Sequence, residues 1–170
     1  GVVRPLLSAE GLARAVAAGS AVEARRGGID LGFGPVLQLA TDARWGRFDE
    51  AYSEDPLLVT ELALAATVGF QGEPPPPPPP PDQAGAGAGG AVATGTYIRN
   101  ASTQLPMQAK HFAFYGAIPH DTLAVDRSLA TLHDDYLRPW RAFVGPRGGG
   151  RSVMASHPPV NRVPAVANAW

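Results

Sequence analysis

Two periodicities alternate along this chain, and the places where one gives way to the other predict its elements. From Ala9 to about Arg26 apolar residues recur at helical spacing, with Leu12, Ala15 and Val16 on one side. Ser8 precedes this run as an N-cap, and Arg25-Arg26-Gly27-Gly28 closes it with basic charge and a stop. The abundance of alanine predicts close approach to a neighbouring element. Ile29-Asp30-Leu31-Gly32-Phe33 then alternates at period two, and Gly34-Pro35-Val36-Leu37 carries on, which predicts a strand. A polar loop spans Thr41 to Glu54. Asp55 caps a second predicted helix with Pro56 at its first position, running through Leu62 and Ala66 to Gly72.

An unbroken proline tract from Pro74 to Pro81 leads into Gly85-Ala86-Gly87-Ala88-Gly89-Gly90. Proline fixes φ and donates no hydrogen bond, so the tract is expected as a polyproline II rod of about 25 Å. The Gly/Ala stretch is expected to be flexible. Residues 74–90 therefore read as a low-complexity insertion, and a solvated spacer is a simpler role for it than a ligand for a proline-tract-binding protein. The pattern resumes with a strand from Gln108 to Phe112, a polar loop to Val125 and a third helix from near Asp126. Leu129, Leu132, Tyr136, Trp140 and Phe143 recur at spacings of three and four, and Pro139 among them predicts a kink or a split. Gly148 to Gly150 break the chain before another strand, Arg151 to Ser156. Strands alternating with helices predict an α/β fold with a parallel sheet and crossover helices.

At 170 residues, 45% of them hydrophobic, the chain has the size and composition of one globular domain. A net charge of −1, scattered arginines and a single lysine, Lys110, argue against a nucleic-acid partner. The absence of cysteine excludes disulfides and thiolate metal sites. No apolar run approaches the roughly 20 residues of a membrane-spanning helix, so no membrane partner is expected. The start at Gly1 shows neither Met nor a signal-peptide pattern, and Ala167-Asn168-Ala169-Trp170 ends without a cap or polar tail. Both ends read as cuts through a longer protein.

Chemistry concentrates in two basic-aromatic clusters, Trp45-Gly46-Arg47 and Lys110-His111-Phe112, each after a strand-like run. In a parallel α/β barrel, ligand-binding residues sit at the C-terminal ends of strands and in the loops beyond them. A guanidinium can fork onto two neighbouring hydroxyls, an ammonium adds a point donor, and an imidazole can take either role. That set suits a polyhydroxylated ring. A structural role is open as well: Arg47 can pair with Glu50 or Glu54, and Lys110 with His111 can form a satisfied polar pair inside the fold. Glu54 and Asp55 read as a loop anchor and a helix cap. No His–carboxylate pair has metal-ligand spacing, and Gly148 to Gly150 form no phosphate loop because no Lys-Ser/Thr comes after them.

Asp42-Ala43-Arg44-Trp45-Gly46-Arg47, with Glu50, Tyr52 and Glu54-Asp55-Pro56, resembles the signature loop of family 3 glycoside hydrolases. Ala109-Lys110-His111-Phe112 with Tyr115-Gly116 is similar to that family's lysine-histidine motif. Tyr136-Leu137-Arg138-Pro139-Trp140 and Val153-Met154-Ala155-Ser156, followed by Val160-Asn161 and Val163-Pro164, match further stretches in the same order. The resemblance runs from about Leu12 to Trp170, interrupted by the Pro/Gly insertion.

This resemblance implies a partial (β/α)8 TIM-type barrel, incomplete at both ends, as a single domain over residues 1–170. It implies an exo-acting, retaining β-glycosidase of β-glucosidase or β-xylosidase type, acting on a β-linked glucoside, xyloside or oligosaccharide. Arg47, Lys110 and His111 would hold hydroxyls of the innermost sugar, and Met154 would line the same site. No cofactor is implied. Retaining cleavage usually needs two carboxyl groups roughly 5 Å apart. The family's nucleophile, an Asp, lies beyond the stretch ending at Trp170, and its acid/base comes from a later region, so this chain is expected to hold no catalytic residue and to be inactive alone. Such enzymes are often secreted or wall-associated, which leaves the compartment open. There are departures: His157 where Tyr is common, Pro158-Pro159 in place of the usual Asn, and Arg162 where the family generally has Gly. The loop after His111 also lacks the family's glycine-rich segment. The alternative reading is a truncated, non-catalytic protein that binds sugar or presents its proline tract.

Overall fold

The computed structural model describes residues 8–74, 100–117, 126–150 and 152–168. The expected polyproline rod beyond Pro74, the Gly/Ala stretch expected to be flexible, most of the expected polar loop with His120, and Arg151 at the start of the last expected strand lie outside the described residues. Helix α1 spans Ala9–Arg26 and helix α2 spans Pro56–Gln71. Ser8 Oγ accepts from the Gly11 amide at 3.1 Å, and Asp55 Oδ1 accepts from the Leu58 amide at 2.8 Å. Each cap satisfies a donor that the first helical turn leaves open. Helix α2 ends at Gly72, whose φ of 83° suits a residue without a Cβ.

The two helices meet through their smallest residues. A Cβ on Gly69 would stand 2.3 Å from the Arg14 carbonyl oxygen and 2.7 Å from the Ala17 Cβ. Ala17 and Ala21 are buried there, the close approach that the abundance of alanine predicts, whereas Leu12 and Val16 stay 56% and 61% exposed. Close backbone approach needs alanine and glycine, so the small side of α1 wins the contact.

Strand β1 covers Gln108–Phe112 and pairs in parallel with β2, Ser152–Ala155, in the register Gln108–Ser152 to Lys110–Met154. The other edge of β1 is met, also in parallel, by Gly32 opposite Met107 and Val36 opposite Lys110. The expected strand over 29–37 is therefore reduced to two bridges. Val36 lies four positions after Gly32 but Lys110 only three after Met107, and Pro35 has no amide N–H to continue the ladder. Ile29, Leu31 and Phe33 remain 48%, 41% and 62% exposed.

The apolar stripe after Asp126 divides as Pro139 predicts. A short helix α3, Leu129–Thr131, runs into a π turn at Leu132–Tyr136 and then into helix α4, Arg138–Val144, with Pro139 in its first turn. The Leu137 amide donates to the Leu132 carbonyl at 2.9 Å, the bond of that wide turn. Leu132, Tyr136, Trp140 and Phe143 are buried, while Leu129 is exposed. Together with Leu37, Leu39, Val59 and Phe114 they form the main core, which joins the sheet to α2 and α4.

Past β2, Val160 and Val163 close a tight antiparallel turn whose central residues, Asn161 and Arg162, have φ of 48° and 67°. Asparagine tolerates that region; an arginine is strained in it. Arg162→Gly is expected to raise stability by about 0.5–1 kcal/mol, read as a higher urea midpoint with an unchanged slope.

Candidate functional site

The loop between residues 40 and 54 is fixed from its own sequence upward. Asp42 takes both arms of the Arg44 guanidinium at 3.0 and 2.8 Å, and the Arg44 side chain holds the Asp42 carboxyl down at about 2. Trp45 is buried and packs edge-on against Tyr115, ring centroids 5.3 Å apart. The Thr41 amide donates to the Gly116 carbonyl at 3.1 Å, tying the loop to the end of β1. A 3-10 turn, Phe48–Glu50, comes directly after Trp45-Gly46-Arg47. In so tight a turn, residues three apart share a side, which brings Glu50 back onto Arg47.

At the C-terminal end of β1, Lys110 and His111 reach the same place. Arg47 donates to Glu50 through Nε at 2.6 Å and Nη2 at 2.8 Å, and its Nη1 lies 2.9 Å from His111 Nε2. Lys110 Nζ stands 3.1 Å from Glu50 Oε2, the oxygen that also accepts from Arg47 Nη2. Two cations and an imidazole thus gather around one carboxylate. Tyr115 backs them, edge-on to the His111 ring at 5.2 Å and under the Arg47 guanidinium at 5.9 Å. Met154 is the register partner of Lys110 across the β1–β2 pair. Arg47, Lys110 and His111, singled out separately in the sequence, are one cluster in space.

Two residues with little to mark them in the sequence complete it. Gln38 is 1% exposed, and its Nε2 donates to the His111 carbonyl while its Oε1 accepts from the His111 amide at 2.8 Å. An apolar-looking strand conceals it, although a lone amide in such a run is itself a signal. Glu50 shows in the sequence as part of the signature loop and as one possible mate for Arg47, not as a member of the site.

Electrostatics follow from this geometry. Hydrogen bonding from Arg47, then from Lys110, holds the Glu50 carboxyl at about 2. Burial, reinforced by Arg47 and Lys110, pushes His111 down to about 4, so its ring is neutral at pH 7. Both shifts penalise acid. The unfolded chain binds a proton at His111 below about 6.5 and the folded one only below about 4, so stability falls between these values, by roughly 3 kcal/mol in full. Glu50 adds a further loss from 4.5 down to about 2, roughly 1 kcal/mol once solvent screening of this part-exposed group is allowed for. Thermal melts in steps of pH are expected to show the first decline, and His111→Gln is expected to flatten it while leaving the second.

A parallel α/β arrangement with a cation-rich cluster at a strand's C-terminal end defines a class of ligand-binding proteins, and comparison with known proteins narrows it. The profile of the glycosyl hydrolase family 3 N terminal domain matches residues 6–170, and the chain belongs to that family. It is 28% identical over 159 residues to the periplasmic beta-glucosidase of Salmonella typhimurium, covering 92% of this chain and 17% of the relative. It is 32% identical over 165 residues to a beta-xylosidase of Formosa agariphila, covering 94% of this chain and 19% of the relative. The crystal structure of beta-glucosidase from Listeria innocua in complex with glucose superposes with a TM-score of 0.73 at 31% identity, over 93% of this chain and 19% of that one. The chain therefore spans less than a fifth of the length of these relatives.

Proposed function

We propose that this chain is part of the barrel domain of an exo-acting, retaining β-glycosidase of β-glucosidase type, and that it carries part of the innermost sugar site. The observation that carries the reading is the convergence of Arg47, Lys110 and His111 around Glu50. The substrate class is a β-linked glucoside, xyloside or oligosaccharide, in keeping with the names of the relatives. Arg47 and Lys110 donate to sugar hydroxyls, His111 Nε2 offers an acceptor, and Met154 covers an apolar face of the ring. Glu50 Oε2 bridges the two cations and holds both at the site.

The wider architecture belongs to the same proposal. Three parallel segments in a row, with α2 and α4 in the crossovers between them, fit a section of a (β/α)8 barrel. Residues 1–170 are then one partial barrel domain, with 74–90 as an insertion in it. The nucleophile and the acid/base come from elsewhere in the enzyme, and without them hydrolysis is lost by orders of magnitude. The chain alone is expected to leave aryl β-glucosides and β-xylosides uncleaved over buffer, while calorimetry detects binding of glucose or xylose. Turnover by the isolated chain at an ordinary enzymatic rate, or no heat with either sugar, contradicts the proposal.

A further inference from the structure

We propose that Gln38 is a positioning residue: its side-chain oxygen holds the His111 ring proton on Nδ1, leaving Nε2 an acceptor, for Arg47 in the free protein and for a sugar hydroxyl in the bound one. Only the last clause rests on the sugar-site reading.

The hydrogen-bond inventory permits one consistent assignment. Arg47 carries donors only, so the 2.9 Å contact from its Nη1 requires a lone pair on His111 Nε2. In a neutral ring the proton is then on Nδ1. Opposite Nδ1, at 3.4 Å, lies Gln38 Oε1. That amide cannot be turned round without loss. Its Nε2 donates to the His111 carbonyl and, at 3.4 Å, to the Ala113 carbonyl, and its Oε1 already accepts from the His111 amide at 2.8 Å. A flipped amide would set N–H against N–H and oxygen against two carbonyls. Gln38 thus binds the backbone and the ring of one residue together, and both are buried. The ionisable groups that bear on the ring are Arg47, Lys110, Glu50, His157 and Tyr115, with Arg47 on the Nε2 side and Tyr115 edge-on to the ring.

His133 supplies an internal control, because Arg141 Nη2 approaches its Nδ1 at 2.7 Å and demands the opposite tautomer. The experiment is two-bond proton–nitrogen NMR of the chain labelled with 15N-histidine, at pH 7 and without sugar, the His111 signals being assigned by their loss in His111→Gln. His111 is expected as the Nδ1–H form and His133 as the Nε2–H form. Nε2–H at His111 overturns the proposal. Gln38→Met, close in length but without the oxygen, is expected to shift the His111 tautomer ratio by about tenfold toward Nε2–H, the worth of one buried hydrogen bond. An unchanged ratio overturns it. If Gln38→Met loses the dispersed spectrum of a folded chain, Arg47→Ala decides instead. It removes the donor to Nε2 and leaves Gln38 Oε1 opposite Nδ1, so the Nδ1–H form is retained; a swing to Nε2–H overturns the proposal. Failure to bind any sugar removes the functional reading and leaves these outcomes intact.

Discussion

Arg47→Ala is expected to lower kcat/KM on an aryl β-glucoside by about a thousandfold in a full-length family 3 protein that contains this chain. Two effects add. The variant removes the charged donors offered to sugar hydroxyls, each hydrogen bond to a charged group being worth about 1.5–3 kcal/mol. It also leaves Glu50 with Lys110 alone, so the ammonium is drawn toward the carboxylate and away from a ligand. Arg47→Lys is expected to recover little. A lysine cannot hold both Glu50 oxygens in a fork and reach His111 Nε2 at once, as Arg47 does. Steady-state kinetics on the two variants decide the matter. A loss of only a few-fold in Arg47→Ala would mean that the guanidinium pins its own loop and does nothing for substrate.

The largest expected effect on stability comes from Gly69→Ala, at about 2–3 kcal/mol of destabilisation and a fall of roughly 5–10 °C in Tm. Helix propensity alone predicts the opposite sign, since alanine is better than glycine in a helix interior by about 1 kcal/mol. The added methyl has nowhere to go: it would meet the Arg14 carbonyl at 2.3 Å and the Ala17 Cβ at 2.7 Å. Both neighbours belong to α1 and one is backbone, so the helices must separate. Gly19 is the matching control, because a Cβ there meets nothing within 4 Å. Gly19→Ala is expected to be neutral or slightly stabilising in the same urea titrations.

Local signals in the sequence carry the helix boundaries well. Ser8, Asp55 with Pro56, and Gly72 announce their roles by side-chain chemistry, and α1, α2 and β1 begin where those residues or the periodicity put them. Which face of a helix is buried is a tertiary matter. Leu12 and Val16 are more apolar than Ala17 and Ala21, yet the contact goes to the two alanines and Gly69, because backbone proximity outweighs side-chain size; the alanine content signals the close approach, and only the fold shows its partner. The segment 29–37 fails as a full strand for a comparable reason, its alternation being sound but its register carrying one residue too many against β1.

The site divides in the same way. Arg47, Lys110 and His111 are legible through their setting in motifs, and the three meet in the fold. Gln38 is not legible, because its function lies in two carbonyls, an amide and a ring that only the fold brings together across 73 residues. Glu50 falls between these cases: three-residue spacing suggests its bond to Arg47, while the second bond to Lys110 depends on the sheet. Arg162 stands at a glycine-like position, which predicts strain, and a φ of 67° bears it out.

The sugar-site reading requires that residues 47, 110 and 111 share one sugar ring. NMR titration of the chain with glucose and with xylose, monitoring the Arg47 side-chain N–H, the Lys110 ammonium and the His111 ring, tests this most directly. All three sets of signals are expected to move together along one binding curve, and those of Lys110 and His111 to stop moving in Arg47→Ala. Sugar-induced shifts confined to another face of the molecule, or separate curves for the three side chains, would contradict it.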